Sequence, residues 1–238
     1  MSYEDFAYYY DSLMDPSFYD DYEKFIGEHC FSFSNVLELG CGTGEIAIRL
    51  SKKNKEVYAT DLSDDMLEVA RIKAMNENVN LMLKRVDMSD FSTNVGVDLI
   101  LCLCDSINYL LDIDDVFKTF FNVYKSLNEN GCFIFDIDSL YKTDVILKDY
   151  LEEESDDEFS FFWKVDLIKS GYVHHLVKIE DKENNEHVEE NHYQRTYDHQ
   201  IYIELLKRAG FDHIELYSDF EDFHEQCERI IFVCYKGE

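Results

Sequence analysis

A glycine-rich turn carries the strongest chemical signal in the chain. Glu38 lies inside a short apolar run and is followed by glycines at alternate positions, Gly40, Gly42 and Gly44. Glycine tolerates positive φ and lets a ligand approach the backbone, so turns of this kind commonly hold nucleotide-like ligands. A dinucleotide-binding turn has the pattern G-x-G-x-x-G. Counted from Gly40, the third glycine of this pattern is missing, and counted from Gly42, only a looser variant of the pattern is met. The Gly-Lys-Ser/Thr ending of a P-loop is missing, so both sites are disfavoured.

Acidic residues end the next two apolar runs. The run 57–60 ends at Asp61, whose carboxylate can accept hydrogen bonds from two vicinal ribose hydroxyls. The run 81–86 ends at Asp87 and Met88. In the type and order of these motifs, residues 34–140 resemble the class I S-adenosylmethionine-dependent methyltransferases, and the flanks resemble them more loosely.

The resemblance implies S-adenosylmethionine as the cofactor and assigns contacts to it. The glycines line its methionine moiety, backbone groups near Glu38 hold its amino and carboxylate ends, and Asp61 binds its ribose. In the N-terminal segment, Tyr10 is a cofactor or substrate contact, or alternatively part of an aromatic helix face that packs on the core. The implied cofactor-binding residues are Tyr10, Glu38, Gly40, Cys41, Gly42, Gly44, Asp61, Leu62, Met66, Asp87, Met88 and Cys104.

A polar and aromatic loop, residues 104–109, follows the fourth predicted strand. Its place at the carboxyl edge of the sheet lets it face both the sulfonium of the cofactor and the methyl acceptor. Asp105 could orient a nucleophile or accept its proton, and Tyr109 could pack against the sulfonium. A capping or turn role for Asp105 and Ser106 is the alternative.

Strands that alternate with helices predict how these residues are positioned. Apolar runs at 36–39, 57–61, 81–86, 97–103 and 131–136 predict parallel strands whose carboxyl ends share one edge. Asp64 or Ser63 is expected to cap the second helix, and a helix over 118–127 with a turn at 130–131 is expected before the fifth strand. Asp198 is expected to cap a helix over 199–209 that Gly210 closes, before two final strands. The prediction is an α/β fold with a Rossmann-like doubly wound sheet, mostly parallel, with a C-terminal antiparallel hairpin.

The acidic stretch 152–158 is interpreted as a solvated linker. After it, the spacing of the apolar residues changes to the alternation typical of strands. Alternation over 159–168, 172–179 and 187–197 predicts an inserted antiparallel β lid above the pocket. The predicted division is a helical cap (1–33), a cofactor-binding core (34–150 and 198–238) and the lid (151–197).

Residues of the predicted lid are candidates for binding the acceptor. Trp163, Tyr193 and Arg195 are predicted to bind substrate, and His192 to act as a base. On a strand, His192 and Gln194 share one face while Tyr193 and Arg195 share the other, so only one pair can point into the pocket. Adjacent histidines point to opposite faces, and no metal is predicted.

Charge and cysteine content restrict the class of protein. The chain has 51 acidic and 22 basic residues, a formal net charge of −29, which disfavours nucleic acid and anionic membranes as partners. Seven cysteines without a C-x-x-C pair are expected to be reduced thiols. Without a signal-peptide pattern or an apolar run of spanning length, the protein is expected in the cytoplasm.

The sequence thus predicts an enzyme that transfers a methyl group from S-adenosylmethionine to an N or O atom of a small-molecule acceptor. The alternative is a non-catalytic protein that senses S-adenosylmethionine or pairs with an active subunit, because both need the same cofactor motifs. A dehydrogenase is opposed by the glycine spacing and by the closing hairpin.

Overall fold

Strands and helices alternate through the first part of the chain in the computed structural model, which describes residues 7, 9–11 and 15–237. The first five strands are β1 (Asn35–Leu39), β2 (Glu56–Asp61), β3 (Met82–Arg85), β4 (Val97–Cys102) and β5 (Leu127–Asp138). The helices are α1 (Pro16–His29), α2 (Glu45–Lys52), α3 (Asp64–Asn76), α4 (Ile113–Ser126) and α5 (His199–Ala209). Residues 9–11 are also helical.

The central sheet has eight strands, and their order and directions match the predicted fold. The last three strands are β10 (His213–Ser218), β11 (Glu221–Asp222) and β12 (Arg229–Tyr235). The order is β11-β10-β12-β5-β4-β1-β2-β3; β1 to β5 pair in parallel, and β12 pairs antiparallel with β5 and β10. The predicted parallel sheet with an antiparallel hairpin is therefore confirmed. Strand order reverses between β1 and β4, and ligands of such sheets bind at the carboxyl ends beside that point.

Strand β4 shows why the sheet is covered on both sides. Leu99 and Leu101 lie in the apolar cluster on one face, while Ile100 and Cys102 lie in the cluster on the other, and all four are fully buried. Because alternate residues of a strand point to opposite faces, an unbroken apolar run requires helices on both. The layers hold the strand ends, and the loops that follow them, in fixed positions.

The inserted sheet is antiparallel, as predicted, but it has four strands. They are β6 (Leu151–Ser155), β7 (Phe159–Lys169), β8 (Tyr172–Asp181) and β9 (Glu186–Arg195), in sequence order. The interpretation of 152–158 as a linker is wrong for its first part, because β6 pairs with β7 as the edge strand. An edge strand keeps charged side chains in solvent while its backbone pairs, so acidic residues do not prevent it from forming.

The predicted helix caps are confirmed and one strand boundary is corrected. The Ser63 hydroxyl accepts the Met66 N–H at the start of α3, and the Asp198 carboxylate accepts the Gln200 N–H at the start of α5. Strand β5 begins at Leu127, where a helix and a turn at 130–131 had been expected. Asn130, at φ 60°, lies in a bulge inside the strand and donates its N–H to the Lys236 carbonyl oxygen at 3.1 Å.

Two global expectations concern thiols and membrane helices. All seven cysteines lie in the described residues and are free thiols. Among the described helices, none is long and apolar enough to cross a membrane.

Candidate active site

A cavity of about 1120 Å³ lies at the carboxyl ends of the parallel strands, between the glycine turn and the inserted sheet. Three residues predicted for the site lie outside it, namely Gly44, Tyr193 and Arg195. The cavity brings together the other predicted site residues, which are Tyr10, Glu38, Gly40, Cys41, Gly42, Asp61, Leu62, Met66, Asp87, Met88, Cys104, Asp105, Tyr109, Trp163 and His192.

The three glycines of the turn have different surroundings. Gly40, at φ 68°, packs against Ser106, whose Cβ would lie 2.7 Å from an added Cβ, so the turn contacts the loop after β4. Gly42, at φ 51°, lines the cavity, and apart from its chain neighbours no atom of the described residues lies within 4 Å of an added Cβ, so its open side faces the cavity. Gly44 instead begins α2 and packs on α3, with the Ala70 Cβ 3.0 Å from an added Cβ. Gly44 is not among the residues that line the cavity, and its predicted contact with the cofactor stays a prediction.

A buried carboxylate, Glu38, and a half-buried one, Asp61, flank the turn. Asp61 at the end of β2 accepts the Gly42 N–H through Oδ2 at 2.8 Å and the Ser63 N–H through Oδ1 at 2.9 Å. Burial raises the pKa of Asp61. Burial, with the nearby Asp61 charge, raises the pKa of Glu38 to about 8. Glu38 Oε2 has no hydrogen-bond partner among the described residues, so it has unused capacity to accept a donor.

These features fit S-adenosylmethionine. The orphaned Glu38 oxygen suits an ammonium donor such as the amino group of the methionine moiety, and the open side of Gly42 leaves room for the ligand. Each Asp61 oxygen has one backbone donor and a lone pair to spare, which suits ribose hydroxyls. Asp87 and Met88, predicted to meet adenine, line the same cavity after β3.

The described residues of the N-terminal segment connect the turn to the inserted sheet. Asp11 accepts hydrogen bonds from the Thr43 hydroxyl at 2.6 Å and from Lys73 Nζ at 2.5 Å. The Tyr9 hydroxyl donates to Glu186 at 2.9 Å on the other side. Tyr10 lies between them and lines the cavity, where burial raises its pKa well above the usual range. Neither Asp11 nor Thr43 was among the predicted site residues, because the partners of Asp11 are distant in the chain.

The loop after β4 is fixed by a buried ionic network. Cys104 and Asp105 both adopt left-handed conformations, at φ 55° and 51°, and the Asp105 N–H donates to Asp136 Oδ2 at 2.8 Å. The Asp105 carboxylate accepts from Gln194 Nε2 at 2.6 Å and from Arg229 Nη2 at 3.3 Å. Asp105 therefore lines the cavity as an anchored carboxylate.

A second ion pair lies beside it. Asp138, at the end of β5, accepts from Lys142 Nζ at 2.8 Å, and both residues line the cavity. Burial and the charge of Asp105 raise the pKa of Asp138 to about 6. Asp138, Lys142 and Arg229 were not among the predicted site residues. The alternation of Asp136 and Asp138 at the carboxyl end of the fifth strand was a signal that could have revealed the first.

The inserted sheet contributes one of its faces to the cavity. His192 and Gln194 of β9 line it, and the His192 Nδ1 lies 3.3 Å from the Tyr109 hydroxyl. Burial lowers the pKa of His192. Trp163 of β7 also lines the cavity, and its Nε1–H donates to His175 Nδ1 at 3.1 Å. Within the described residues, no group of three or more His, Cys, Asp or Glu side chains could hold a metal ion.

Strand alternation places Tyr193 and Arg195 on the opposite face, which corrects their assignment to the pocket. Tyr193 stacks on His174, with ring centroids 4.6 Å apart. Arg195 Nη1 donates to the Leu111 carbonyl oxygen at 3.1 Å, and its guanidinium lies over the Tyr197 ring. Arg195 thus fixes a loop at the rim of the cavity, which Leu111 lines.

Comparison with known proteins agrees with this geometry. Residues 36–131 match the family described as "Methyltransferase domain". A protein of Geobacillus sp. (strain WCH70), named as a methyltransferase, is 35% identical over 99% of this chain and 100% of its own length. The crystal structure of an S-adenosylmethionine-dependent methyltransferase from Clostridium acetobutylicum has a TM-score of 0.89 and 31% identity, over 99% of both chains. The sugar N-methyltransferase KedS8 from Streptoalloteichus has the same fold, with a TM-score of 0.78 and 18% identity over 97% of this chain and 92% of its own.

Proposed function

The chain belongs to the class I S-adenosylmethionine-dependent methyltransferases, and we propose that it methylates the nitrogen of a small-molecule amine. S-adenosylmethionine is its cofactor. The observation that carries the proposed acceptor is the acidic lining of one part of the cavity, called here the acceptor region, which the loop after β4, the start of α4 and the end of β5 form with the residues paired to them.

Carboxylates outnumber cations in this acceptor region of the cavity. The acidic residues are Asp105, Asp112, Asp115 and Asp138, and the basic ones are Lys142 and Arg229. Both cations are already paired, Lys142 with Asp138 and Arg229 with Asp105 and Asp136. Such a lining repels phosphorylated acceptors and attracts a protonated amine. The similarity of fold to a sugar N-methyltransferase also supports nitrogen as the acceptor atom.

The volume of the cavity supports a small acceptor that binds together with the cofactor. Its 1120 Å³ exceeds the roughly 300–1,000 Å³ typical of a pocket for one drug-sized ligand. Trp163 and His192 of the inserted sheet bound it on one side, and Tyr10 of the N-terminal segment also lines it. A shared, partly covered cavity aligns the acceptor and limits the access of water.

When bound, the cofactor supplies a methyl group on a sulfonium, so the protein has to position the acceptor and remove its proton. We propose His192 as the proton acceptor, because burial favours its neutral form. In the tautomer in which Nδ1–H donates to the Tyr109 oxygen, Nε2 accepts the proton from the ammonium group. A neutral imidazole takes a proton from an ammonium group more readily than from an alcohol, because the ammonium group is the stronger acid. This difference favours nitrogen over oxygen as the acceptor atom.

We further propose that the enzyme works in the cytoplasm on an acceptor that is neither nucleic acid nor membrane. Seven free thiols are typical of a reducing compartment. The formal net charge of −29 opposes binding to phosphate-rich surfaces.

Methyl transfer from S-adenosylmethionine labelled with ¹³C in its methyl group tests the proposal. The enzyme is incubated with a panel of small primary amines and the alcohols of matching shape, and two-dimensional NMR locates the label. We expect N-methyl products and a large loss of turnover, with S-adenosylhomocysteine affinity kept, in His192→Phe. The matched control is His174→Phe, on the opposite face of the sheet. Label found only on oxygen, or cofactor bound but consumed with no member of the panel, would overturn the proposal; the second result would favour the sensor.

A further inference from the structure

The cavity contains a second histidine that this chemistry does not use. His175 of β8 lies directly opposite His192 of β9 in the antiparallel register, and both side chains line the cavity. His175 is 7% exposed. Its neighbour His174 points to the other face, where its Nε2 lies 2.8 Å from the Asn191 side-chain oxygen. A polar group placed this deep in a ligand cavity requires a partner.

The contact with Trp163 determines which nitrogen of His175 carries a hydrogen. An indole Nε1–H can only donate, so His175 Nδ1, 3.1 Å away, must be the acceptor and must lack a proton. Burial lowers the pKa of His175 to about 4, which keeps the ring neutral at pH 7. A neutral imidazole without a hydrogen on Nδ1 has one on Nε2. Trp163 therefore turns His175 into a fixed hydrogen-bond donor.

This donor has no acceptor within the described residues. His175 Nε2 is buried and unpartnered there. The carboxylate of Asp105, whose charge acts on His175, already accepts from Gln194 and Arg229. A buried donor without an acceptor costs free energy, which a ligand oxygen placed against it would recover. The site therefore discriminates between ligands, because a molecule without that oxygen leaves the His175 donor unsatisfied.

We propose that His175 is a specificity-determining residue whose Nε2–H donates to a hydroxyl or carbonyl oxygen of the acceptor, so that the acceptor is an amine that also carries a neutral oxygen group. The proposal rests on the proposed function, since it describes the acceptor of the same cavity. A neutral oxygen fits better than a carboxylate, because both cations of the acceptor region already have carboxylate partners.

The tautomer is tested first, by NMR of the full chain labelled with ¹⁵N in its histidines and saturated with S-adenosylhomocysteine. His175→Phe assigns the His175 signals by their loss. We expect Nδ1 without hydrogen and Nε2 with hydrogen throughout pH 6–8. An imidazolium at pH 7, or hydrogen on Nδ1, overturns the proposal.

Matched amines then test what the donor binds. The probes are 3-amino-1-propanol against butylamine, and trans-4-aminocyclohexanol against 4-methylcyclohexylamine, followed through the His175 Nε2–H resonance and through methyl transfer. We expect the hydroxylated amine of a pair to shift the resonance and to have a kcat/KM roughly 10- to 100-fold above its partner, by the discrimination typical of one buried hydrogen bond. A carboxylated probe of similar length, β-alanine, is expected to bind more weakly than 3-amino-1-propanol.

Three variants separate a specificity role from a structural one. His175→Phe keeps the ring but removes the donor, so the preference for hydroxylated probes should disappear. His175→Gln keeps an amide oxygen for Trp163 and an N–H near Nε2, so the preference should be largely restored. His174→Phe should leave it unchanged.

The outcomes distinguish this proposal from the proposed function. A Nε2–H resonance that responds to the hydroxylated probes while no methyl group reaches nitrogen would leave the donor role standing and refute the proposed function. Methyl transfer without preference for oxygen in the wild type would refute the donor role alone. A Nε2–H resonance that no oxygen-bearing probe shifts also refutes the donor role.

Discussion

Replacement of Arg229 tests whether the buried ionic network holds the active-site loop. Arg229 is 9% exposed and Asp136 is fully buried, and the two form a direct ion pair. Asp136 also accepts from the Tyr22 hydroxyl at 2.8 Å and from the Asp105 N–H at 2.8 Å. Arg229→Met keeps most of the apolar stem and removes the guanidinium, whose central carbon lies 4.8 Å from the centre of the Phe18 ring.

The expected loss follows from leaving a charge buried without its partner. Removing one member of a buried ion pair costs about 3–5 kcal/mol of unfolding free energy. Asp136 can reduce this cost by binding a proton, and burial already raises its pKa in the wild type. In the variant the folded state therefore binds a proton that the unfolded state releases, so its unfolding free energy falls as pH rises. The deficit should be larger at pH 8 than at pH 5.

Urea unfolding at both pH values measures the effect. Arg71→Met is the matched control, because Arg71 pairs with Glu68 on the surface and its loss should change stability by less than about 0.5 kcal/mol. The double variant Asp136→Asn with Arg229→Met should be more stable than Arg229→Met alone at pH 8, since the amide carries no charge and its oxygen can still accept a hydrogen bond from the Tyr22 hydroxyl or the Asp105 N–H. A deficit below about 1 kcal/mol at pH 8, or one that does not depend on pH, would refute this account of the network.

Two further predictions concern the carboxylates of the cavity. Asp61→Asn should weaken S-adenosylmethionine binding by about 1–3 kcal/mol, measured by calorimetry, and unchanged affinity would dispose of the ribose assignment. Burial and the charge of Asp105 raise the pKa of Asp138 from its ordinary 3.8 to about 6, so its contribution to stability is present below about pH 4 and is lost as pH rises through about 6. Asp138→Asn should remove this part of the pH dependence from urea midpoints measured between pH 4 and 7; a slope equal to that of the wild type would contradict the assignment.

Local patterns predicted much of the fold and of the cofactor side of the cavity. The apolar runs, the caps at Ser63 and Asp198, and the alternating glycines act within a few residues of themselves, so their consequences are visible in the sequence. The acids at the strand ends, such as Asp61, follow from the rule that parallel strands share a carboxyl edge. Edge strand β6 was missed because acidic composition conceals backbone pairing.

The acceptor side of the cavity depends on contacts between distant parts of the chain. Arg229 meets Asp105 across 124 positions, and no periodicity in either segment indicates this pair. Alternation alone showed that His192 and Tyr193 face opposite ways, but it could not tell which of them faces inward. That choice depends on how the inserted sheet packs over the core, and the packing places His192 in the cavity and Tyr193 outside it.

Calorimetric titration of S-adenosylhomocysteine into wild type and Gly42→Ala tests most directly that the cofactor lies against the open side of the turn. An alanine at φ 51° costs roughly 1 kcal/mol of stability, and within the part of the chain that the structure describes its Cβ meets no atom within 4 Å beyond its chain neighbours. It would therefore occupy ligand space, and we expect a loss of about 1–3 kcal/mol, roughly 5- to 150-fold in Kd. Gly27→Ala in α1, whose added Cβ likewise meets no atom of a described residue within 4 Å, should leave Kd unchanged. Equal affinity in wild type and in a folded Gly42→Ala would contradict the account.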